Sequence, residues 1–439
     1  MFEPLYTAAE ARAAEQGHEV AELMERAGAA VAREVLARYP DAHRIAAVCG
    51  GGSNGGDGRI AARILREQGL DAVETTAVEQ ADVIVDALFG TGFRREPRPE
   101  AAESIARMNA AGVPVVSVDV PSGVDASTGE IAGEAVRADV TVTFHGRKVG
   151  LAVAPGLLHA GEAVVADIGL GPLETDVSLV TPEILALVPR RREEDNKYTA
   201  GTVLVAGGAP GLTGAACLAA RAAFRADAGY VAVAVPERSL PIVEGQLLEA
   251  VKVTWADAVE TAAKAGALAI GPGLGRTQEA VALRAALLGA GEQSLVLDAD
   301  ALHGLEPGAW GSRAVLTPHA GELARLLGEQ SAWVNAHRLE AARRAAERFG
   351  CVCLLKGADT IVAAPGEGPL VCLAGAPGLA TAGTGDVLTG VVAAFLAKGL
   401  EPRLAAAAAA CAHGLAARTL TQPGLVAGDL VDALPRALR

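Results

Sequence analysis

A glycine-rich segment in the first half of the chain has the composition of a phosphate-binding turn. The run CGGGSNGGDG at residues 49–58 follows a predicted apolar strand, Ile45–Cys49, and leads into a predicted helix, Asp57–Gln68. Glycines in such a turn let the backbone approach a phosphate, while N–H groups at the start of the helix point toward it. The run lacks the lysine of a P-loop and the regular spacing of a dinucleotide fingerprint. A tight strand-to-helix connection without a ligand is the alternative interpretation.

Oxygen-bearing side chains occur in this turn and in loops that follow later predicted strands. These loops are DALFGTGFR at 86–94, DVPSGVD at 119–125 and TFHGRK at 143–148. Loops at the carboxyl ends of parallel strands form the ligand crevice of an open sheet. Asn54, Asp86 and Ser122 would there supply oxygen ligands, which suit a hard cation better than zinc. Taken singly, an aspartate at the end of a strand is more often a helix cap than a ligand.

A second glycine-rich segment, TAGTGDVLTG at residues 381–390, opens a predicted Ala-rich helical region, Asp386–Leu420. Gly383 and Gly385 would expose N–H groups at the positive end of a helix, where a phosphoryl group in transfer is stabilised. Asp386 beside that anion site could accept a proton from a substrate hydroxyl. The alternative is an acidic residue that only stabilises the first turn of the helix.

Four further loops in the second half follow predicted strands. They are GPGLG at 271–275, DADAL at 298–302, TPHAGE at 317–322 and KGADT at 356–360. Each is a weak signal by itself, and His319 could equally be a helix-capping residue.

Short apolar strands alternate with helical stretches in both halves, which predicts an α/β fold with parallel sheets. A helix-like stretch at Thr7–Tyr39 begins the first half, and strands are predicted at Val83–Leu88 and Val140–Phe144. A charged run, Pro189–Asn196, separates two apolar regions, and the strand–turn–helix pattern restarts after it. We therefore predict two domains, 1–190 and 191–439. A solvated loop inside one domain is the alternative.

The composition bounds the class of protein. The chain has 439 residues, of which 51% are hydrophobic, 21% charged and 3% aromatic, with a net charge of −14. Such a chain can bury large cores, and its acidity and low aromatic content argue against general nucleic-acid binding. Six cysteines are too few for a disulfide framework, so we expect reduced thiols in a cytoplasmic protein. The sequence predicts neither a signal peptide nor a membrane span.

The motifs of the first half, in order, resemble those of the NAD(P)H-hydrate epimerase family. They are SNGGDG, DALFGTGF, DVPSGVD and TFHGRKVGL, and the resemblance covers about residues 1–190. It implies a Rossmann-like three-layer αβα domain that interconverts the R and S epimers of hydrated NADH or NADPH. It also implies a potassium ion held by Asn54, Asp86 and Ser122. The residues it implies for binding the hydrated dinucleotide are Ser53, Asn54, Gly55, Gly56, Asp57, Gly90, Thr91, Gly92, Phe93, Arg94, Arg95, Glu96 and Asp119.

Epimerisation requires a group that moves a proton near the hydroxylated carbon. Asp119 is the first candidate. Lys148 is the second, and a surface lysine without a catalytic role is the alternative for it. The family usually has Asn where this chain has Ser53, which can still donate and accept a hydrogen bond.

The second half resembles the ADP-dependent NAD(P)H-hydrate dehydratase family, which has a ribokinase-like fold. The motifs are GPGLG, TPHAGE, KGADT and AGTGDVLTG, over about residues 195–439. The resemblance implies conversion of the S hydrate to NADH or NADPH while ADP is split to AMP and phosphate, with magnesium bridging the phosphates. It implies Asp386 as the catalytic base and contacts to the hydrate from Ala215, Gly275, His319 and Asp386. The residues it implies for the adenine nucleotide are Lys356, Gly357, Ala358, Asp359, Thr360 and Gly385.

The sequence therefore predicts a bifunctional repair enzyme for damaged nicotinamide nucleotides. Its ligands would be hydrated NADH or NADPH and ADP, without nucleic-acid or membrane partners, and we expect a homo-oligomer. A ribokinase-like small-molecule kinase fused to a nucleotide-binding domain is one alternative. A nucleotide sensor with inactive sites is the other.

Overall fold

The structure of the chain, a computed structural model, describes residues 1–94, 96–420 and 423–439. It divides into two compact units. The first contains Pro4–Ser178 and Asn335–His337, and the second contains Met1–Glu3, Leu179–Val334 and Arg338–Arg439. The chain thus passes from one unit to the other at Ser178, before the charged run at 189–196. The assignment of functional domains to 1–190 and 191–439 stays a prediction.

The first unit is built on a parallel sheet covered by helices. Among the described residues its strand order is β3-β2-β4-β5-β6-β7, and every pair is parallel. The central strands β4, β5 and β6 are buried along their whole length, because helices cover both faces of the sheet. The elements up to residue 180 are β1 Phe2–Leu5, α1 Ala8–Ala14, α2 Val20–Arg38, β2 Arg44–Cys49, α3 Ser53–Glu67, β3 Asp71–Glu74, β4 Val83–Ala87, α4 Pro99–Ala110, β5 Val115–Val118, β6 Val140–Phe144, β7 Glu162–Ala166 and β8 Val177–Val180.

The second unit contains a larger sheet, ordered β17-β16-β15-β14-β13-β12-β9-β10-β11, which β8 and then β1 continue beyond β17. The seven strands β9 to β15 pair in parallel with their neighbours among these seven. Strand β16 is antiparallel to both of its neighbours. Its elements are β9 Thr202–Ala206, α5 Thr213–Arg225, β10 Tyr230–Val235, α6 Leu240–Gln246, β11 Val251–Thr254, α7 Ala258–Ala262, β12 Ala267–Ile270, α8 Gln278–Leu288, β13 Ser294–Leu297, β14 Ala314–Leu316, α9 Ala320–Leu327, α10 Ser331–Ala336, α11 Arg338–Phe349, β15 Val352–Leu355, β16 Thr360–Ala363, β17 Leu370–Cys372, α12 Thr384–Ala397, α13 Pro402–Arg418 and α14 Ala427–Ala437.

The α/β fold class is confirmed, but two predicted helical stretches are each divided. The stretch Thr7–Tyr39 forms α1 and α2, with Gly17 between them at a positive φ of 84°. The region Asp386–Leu420 forms α12 and α13, separated where Gly399 takes a φ of +87° and Pro402 starts the next helix. Helices end at such positions because left-handed backbone and proline cannot continue the N–H to C=O ladder.

Small residues set the close packing of α12 in the second unit. Gly390 is buried in α12, and a Cβ placed there would lie 2.1 Å from the Ala219 carbonyl oxygen in α5. The alanine run 405–410 in α13 is also buried in this core. In the described ranges no helix is both long enough and apolar enough to span a membrane.

We predict that Gly390→Ala destabilises the protein by about 1–3 kcal/mol, because α5 and α12 must separate to admit the methyl group. The matched control is Gly428→Ala in α14, where a Cβ would meet nothing within 4 Å. There alanine should be neutral or stabilising by up to about 1 kcal/mol, since it has the higher helix propensity. Denaturant unfolding followed by circular dichroism compares the two variants. Equal stability of both variants would contradict this account of the helix packing.

Candidate active sites

The glycine-rich turn of the first unit forms one wall of a cavity of about 560 Å³. Helix α3 begins at Ser53, earlier than predicted, so residues 53–57 occupy its first turns. The first N–H groups of a helix have no partner inside the helix and can face a ligand. Gly55 is required by packing, because a Cβ there would lie 1.9 Å from the Gly50 carbonyl oxygen.

Most of the predicted dinucleotide-binding residues line this cavity. Gly55 and Gly56 are not among the lining residues, and Arg94 and Glu96 are exposed on the loop beyond it. Arg95 lies outside the described residues. The predicted residues that do line the cavity are Ser53, Asn54, Asp57, Gly90, Thr91, Gly92, Phe93 and Asp119.

Asp119 and Lys148 form a buried ion pair at this cavity. The Lys148 ammonium lies 2.6 Å from Oδ1 of Asp119, and the lysine side chain is only 3% exposed. The ammonium also donates to Thr143 Oγ1 at 3.0 Å and to the Phe144 carbonyl at 2.8 Å. Lys148 is therefore not a surface lysine. Asp119 has a φ of +67°, a conformation that non-glycine residues seldom adopt and that these contacts hold in place.

The three predicted potassium ligands converge around the backbone of Phe89. Asp86 is the fourth residue of β4 and fully buried, and its Oδ1 accepts a hydrogen bond from Ser122 Oγ at 2.6 Å. Ser122 Oγ accepts from the Phe89 N–H at 2.8 Å, and Asn54 Nδ2 donates to the Phe89 carbonyl at 2.9 Å. Burial raises the pKa of Asp86, while its hydrogen bonds from Ser122 oppose the rise. Asp86 and Ser122 are thus in direct contact and Asn54 shares the Phe89 backbone with Ser122, while their role as potassium ligands stays a prediction.

Asp57 is a buried acid in the same cavity. It is 8% exposed, and Oδ1 has no hydrogen-bond partner within the part of the chain that the structure describes. The pKa of Asp57 is raised to about 8, mainly by burial and also by the negative charges of Asp119 and Glu15. The sequence placed Asp57 among binding residues, but it gave no sign that the carboxyl group holds its proton at neutral pH.

The second unit contains a cavity of about 460 Å³ at the start of α12. Lys356, Gly357, Ala358, Thr360 and Gly385 line it, as predicted for one nucleotide site. Sequence reasoning missed the rest of its wall, which consists of the turn Gly375–Ala380, Thr384, Leu388 and His413.

His413 comes from the interior of the Ala-rich helix α13. Its Nε2 lies 2.9 Å from the Thr384 carbonyl oxygen. Burial lowers the pKa of His413 to about 4, so the ring is neutral at neutral pH and its Nε2–H donates to that carbonyl. The contact joins α13 to the first residue of α12, beside Gly385.

Asp359 of the predicted nucleotide loop forms a buried ion pair instead of lining this cavity. Its Oδ1 lies 2.7 Å from Nε of Arg338, the first residue of α11, and both side chains are at most 5% exposed. Arg338 Nη2 also donates to the Asp359 carbonyl at 2.8 Å. A Cβ at Gly357 would lie 2.2 Å from Arg338 Nη2, so the guanidinium packs directly against the loop. Arg338 thereby fixes the backbone of residues 356–360.

Asp386, in the first turn of α12, is surrounded by other acidic groups and one lysine. The pKa of Asp386 is raised to about 7, mainly by burial and then by the charge of Asp298, while Lys356 opposes the rise. Lys356 Nζ lies 2.8 Å from Asp298 Oδ1, and Thr389 Oγ1 donates to Asp298 Oδ2 at 2.7 Å. Burial lowers the pKa of Lys356, but Asp298 and the neighbouring carboxylates raise it more, so the net shift is upward. Asp298 is the first residue of the DADAL motif, and sequence reasoning did not single it out as a candidate site residue.

The remaining predicted hydrate contacts lie on other loops of the same unit. Ala215 is half-buried in the first turn of α5, and the N–H of Gly275 donates to Asp300 at 3.0 Å. His319 is the N-cap of α9, where its Nδ1 accepts from the Gly321 N–H at 3.0 Å and Glu322 completes a capping box. His319 is therefore a helix-capping residue, as the alternative interpretation expected. Its side chain is 56% exposed, so the ring can still contact a ligand.

Comparison with known families assigns both units. Residues 203–438 match the family described as NAD(P)H-hydrate dehydratase. Residues 20–81 and 70–150 match the family described as YjeF-related protein N-terminus. A bifunctional NAD(P)H-hydrate repair enzyme Nnr from Moorella thermoacetica is 37% identical, with 95% of this chain and 92% of that protein covered. The protein of that name from Escherichia coli is 35% identical, with 94% and 89% covered. The chain belongs to the bifunctional NAD(P)H-hydrate repair enzyme family.

A solved structure supports the fold of the second unit. The ADP/ATP-dependent NAD(P)H-hydrate dehydratase of Bacillus subtilis, co-crystallised with ATP and Mg²⁺, is 32% identical with a TM-score of 0.53. The match covers 58% of this chain and 96% of that one. The second unit is ribokinase-like and the first is Rossmann-like, as predicted. This repair enzyme is accordingly both an isomerase and a lyase, which epimerises hydrated NAD(P)H and dehydrates it.

We predict that Arg338→Lys preserves the fold but raises the KM for the adenine nucleotide on the order of tenfold. Lysine keeps the charge toward Asp359 but loses the planar donor set that holds the loop, and one charge-assisted hydrogen bond is worth about 1.5–3 kcal/mol. The control is Arg344→Lys on the same helix, whose pairs with Glu329 and Glu340 are more exposed. Steady-state kinetics of dehydration measures both variants. An unchanged KM in Arg338→Lys would contradict the positioning role.

Proposed function

We propose that the cavity of the first unit performs epimerisation and that Asp119 transfers the proton there. The observation that carries this assignment is the buried Asp119–Lys148 ion pair at a cavity that the glycine-rich turn also lines. An ion pair this deeply buried is costly to form, and a fold retains it where orientation of the carboxylate matters. Lys148 and Thr143 together hold Oδ1 of Asp119, so the carboxylate keeps one orientation toward the cavity.

The hydrated dinucleotide would lie against the start of α3 and the loop after β4. In this proposal Ser53–Asp57 and Gly90–Glu96 form its binding surface, with Arg94 and Glu96 reaching it from the exposed part of the loop. The backbone N–H groups of the α3 N-terminus would receive the phosphates. This local arrangement explains how an acidic chain with a net charge of −14 binds a polyphosphate.

The same unit has oxygen atoms suited to bind a potassium ion. Asn54, Asp86 and Ser122 supply an amide, a carboxylate and a hydroxyl oxygen, and the Asp86 carboxylate is fully buried. A hard monovalent cation fits such an all-oxygen set and would balance the buried negative charge. When bound, potassium would supply fixed positive charge that holds the turn and the loop after β4 in position.

For the second unit we propose Asp386 as the base of an ADP-dependent dehydration. Asp386 takes the proton of the ring hydroxyl, which can then attack the terminal phosphate of ADP. This attack breaks the bond between the terminal phosphorus and the bridging oxygen of ADP, and AMP leaves. The ring nitrogen supplies the electrons that expel phosphate, which is a better leaving group than hydroxide, and a proton lost from the adjacent ring carbon to the departing phosphate restores the ring double bond. Asp298 and Glu322, which lie beside Lys356, offer carboxylate oxygens that would hold a magnesium ion, and the ion would supply positive charge to the nucleotide phosphates. Lys356–Thr360 and Gly385 would hold the nucleotide, and Ala215, Gly275 and His319 the hydrate.

The two activities in one chain recover both epimers of the damaged nucleotide. We also predict a cytoplasmic location, a homo-oligomeric state, and no nucleic-acid or membrane partners. The kinase and sensor alternatives are not favoured, because the relatives that match about 95% of the chain are repair enzymes. The products distinguish them: the repair reaction forms AMP and a reduced nicotinamide, and a kinase forms a stable phosphorylated metabolite.

Reciprocal variants test the division of labour. Asp119→Ala should reduce epimerisation at least about 10²-fold, since it removes the proton-transfer group, while dehydration of the S hydrate continues. Asp386→Ala should abolish AMP formation and leave epimerisation intact. Chromatography of the epimers and assay of AMP measure the two reactions on the same samples. Normal epimerisation by Asp119→Ala, or AMP formation at the original rate by Asp386→Ala, would refute the corresponding assignment.

Replacement of potassium by a large organic cation tests the proposed ion site. Epimerisation should slow several-fold without potassium and recover on its return, whereas Asp86→Asn should be slow and insensitive to potassium, because the ligand charge is lost. Dehydration by the same preparations is the internal control. Epimerisation that is equally fast with and without potassium would contradict the site.

A further inference from the structure

Epimerisation at a hydroxylated ring carbon requires two proton carriers. If the hydroxyl leaves as water, one group must protonate it, and a second must take a proton from the water that returns on the other face. Asp119 can fill one of these roles. The other requires a group that carries a proton at neutral pH and lines the same cavity.

Asp57 has the position for this role. It lies in the second turn of α3, lines the cavity with Asp119 and is 8% exposed. Its Oδ1 is buried and, across the described residues, accepts or donates no hydrogen bond. A buried polar atom without a partner is costly, and such atoms are retained where a ligand completes the contact.

The backbone around Asp57 leaves little freedom of movement. Helices α2 and α3 approach so closely at Gly28 that a Cβ there would lie 2.9 Å from the Asp57 carbonyl oxygen and 2.5 Å from Ile60. The packing of α2 against α3 therefore fixes the backbone that carries Asp57 at the cavity wall.

Burial and two neighbouring carboxylates favour the protonated form of Asp57, and two basic side chains also belong to its surroundings. Glu15 and Arg12 come from the end of α1, Asp119 follows β5, and Lys148 is paired with Asp119. Desolvation is the main cause of the raised pKa of Asp57, with Asp119 and Glu15 second and third. The Lys148 ammonium is engaged by Asp119, and no cation is among the causes that shift the pKa of Asp57.

We propose that Asp57 is a second catalytic residue of the epimerase and donates the proton to the departing hydroxyl. The ring nitrogen lone pair forms the nitrogen–carbon double bond as the carbon–oxygen bond breaks, and the Asp57 proton leaves in the water. Water then adds to the opposite face and gives its proton to Asp119, while the double-bond electrons return to nitrogen. No external oxidant or reductant is needed, and the two carboxyl groups exchange roles in the reverse direction. The inference rests on the assignment of epimerisation to this unit.

The test uses the full-length chain and the R hydrate. Asp57→Asn keeps the shape but cannot donate a proton, so kcat should fall about 10²–10⁴-fold. In the wild-type enzyme kcat/KM should decrease as pH rises above about 8, because Asp57 loses its proton; Asp57→Asn should lack this alkaline limb. Asp57→Glu retains a proton donor and should keep an alkaline limb with a partly restored rate. Glu67→Gln, an exposed acid on the same helix, is the control and should match wild type.

Three results would overturn the inference. The first is a wild-type rate in Asp57→Asn. The second is an Asp57→Asn variant in which only KM changes and the alkaline limb remains, and the third is a wild-type pH profile of kcat/KM that has no alkaline limb. If Asp57→Asn does not fold, the profile of Asp57→Glu decides the question. Loss of activity in Asp119→Ala with full activity in Asp57→Asn would reject this inference alone, whereas wild-type protein without epimerase activity would reject the assignment of the unit.

Discussion

The desolvation of carboxyl groups at the carboxyl ends of parallel strands is the constraint on which both sites depend. Asp86 and Asp119 come from β4 and the end of β5, and Asp298 follows β13. Each has different partners: Asp86 accepts hydrogen bonds from hydroxyl and amide groups, whereas Asp119 pairs with Lys148 and Asp298 with Lys356. Asp57 and Asp386 are in no comparable pair among the described residues, and burial and neighbouring negative charge raise their pKa values. In our proposal the same physical effect supplies an acid in one unit and a base in the other.

The glycine-rich motifs could be placed from sequence because their geometry is local. A strand, a glycine turn and a helix start are contiguous in the chain, and parallel strands bring successive turns to one edge of a sheet. The proximity of Asp86 and Ser122 follows from that topology, as does the lining of one cavity by Lys356–Ala358, Thr360 and Gly385. The fold class and the position of Asp386 at a helix start follow from the same argument.

The contacts that fix these motifs could not be predicted, because they come from distant helices without a signature of their own. Arg338 begins an ordinary charged helix, and His413 lies within an alanine-rich one, yet they hold the loop 356–360 and the start of α12. The two long predicted helices also extend too far. The sequence does not distinguish a glycine at positive φ, which ends a helix, from a glycine that packs inside one, such as Gly390. Burial of Asp57 depends on the approach of α2 to α3, which no motif encodes.

The pH dependence of both reactions, measured on one preparation of the wild-type protein, tests most directly whether buried carboxyl groups perform the chemistry. Dehydration should rise with pH through about 7 as Asp386 loses its proton, and epimerisation should fall above about 8 as Asp57 loses its own. The two profiles should therefore diverge between about pH 7 and 9. Profiles that rise together, or that both stay flat across this interval, would contradict the account.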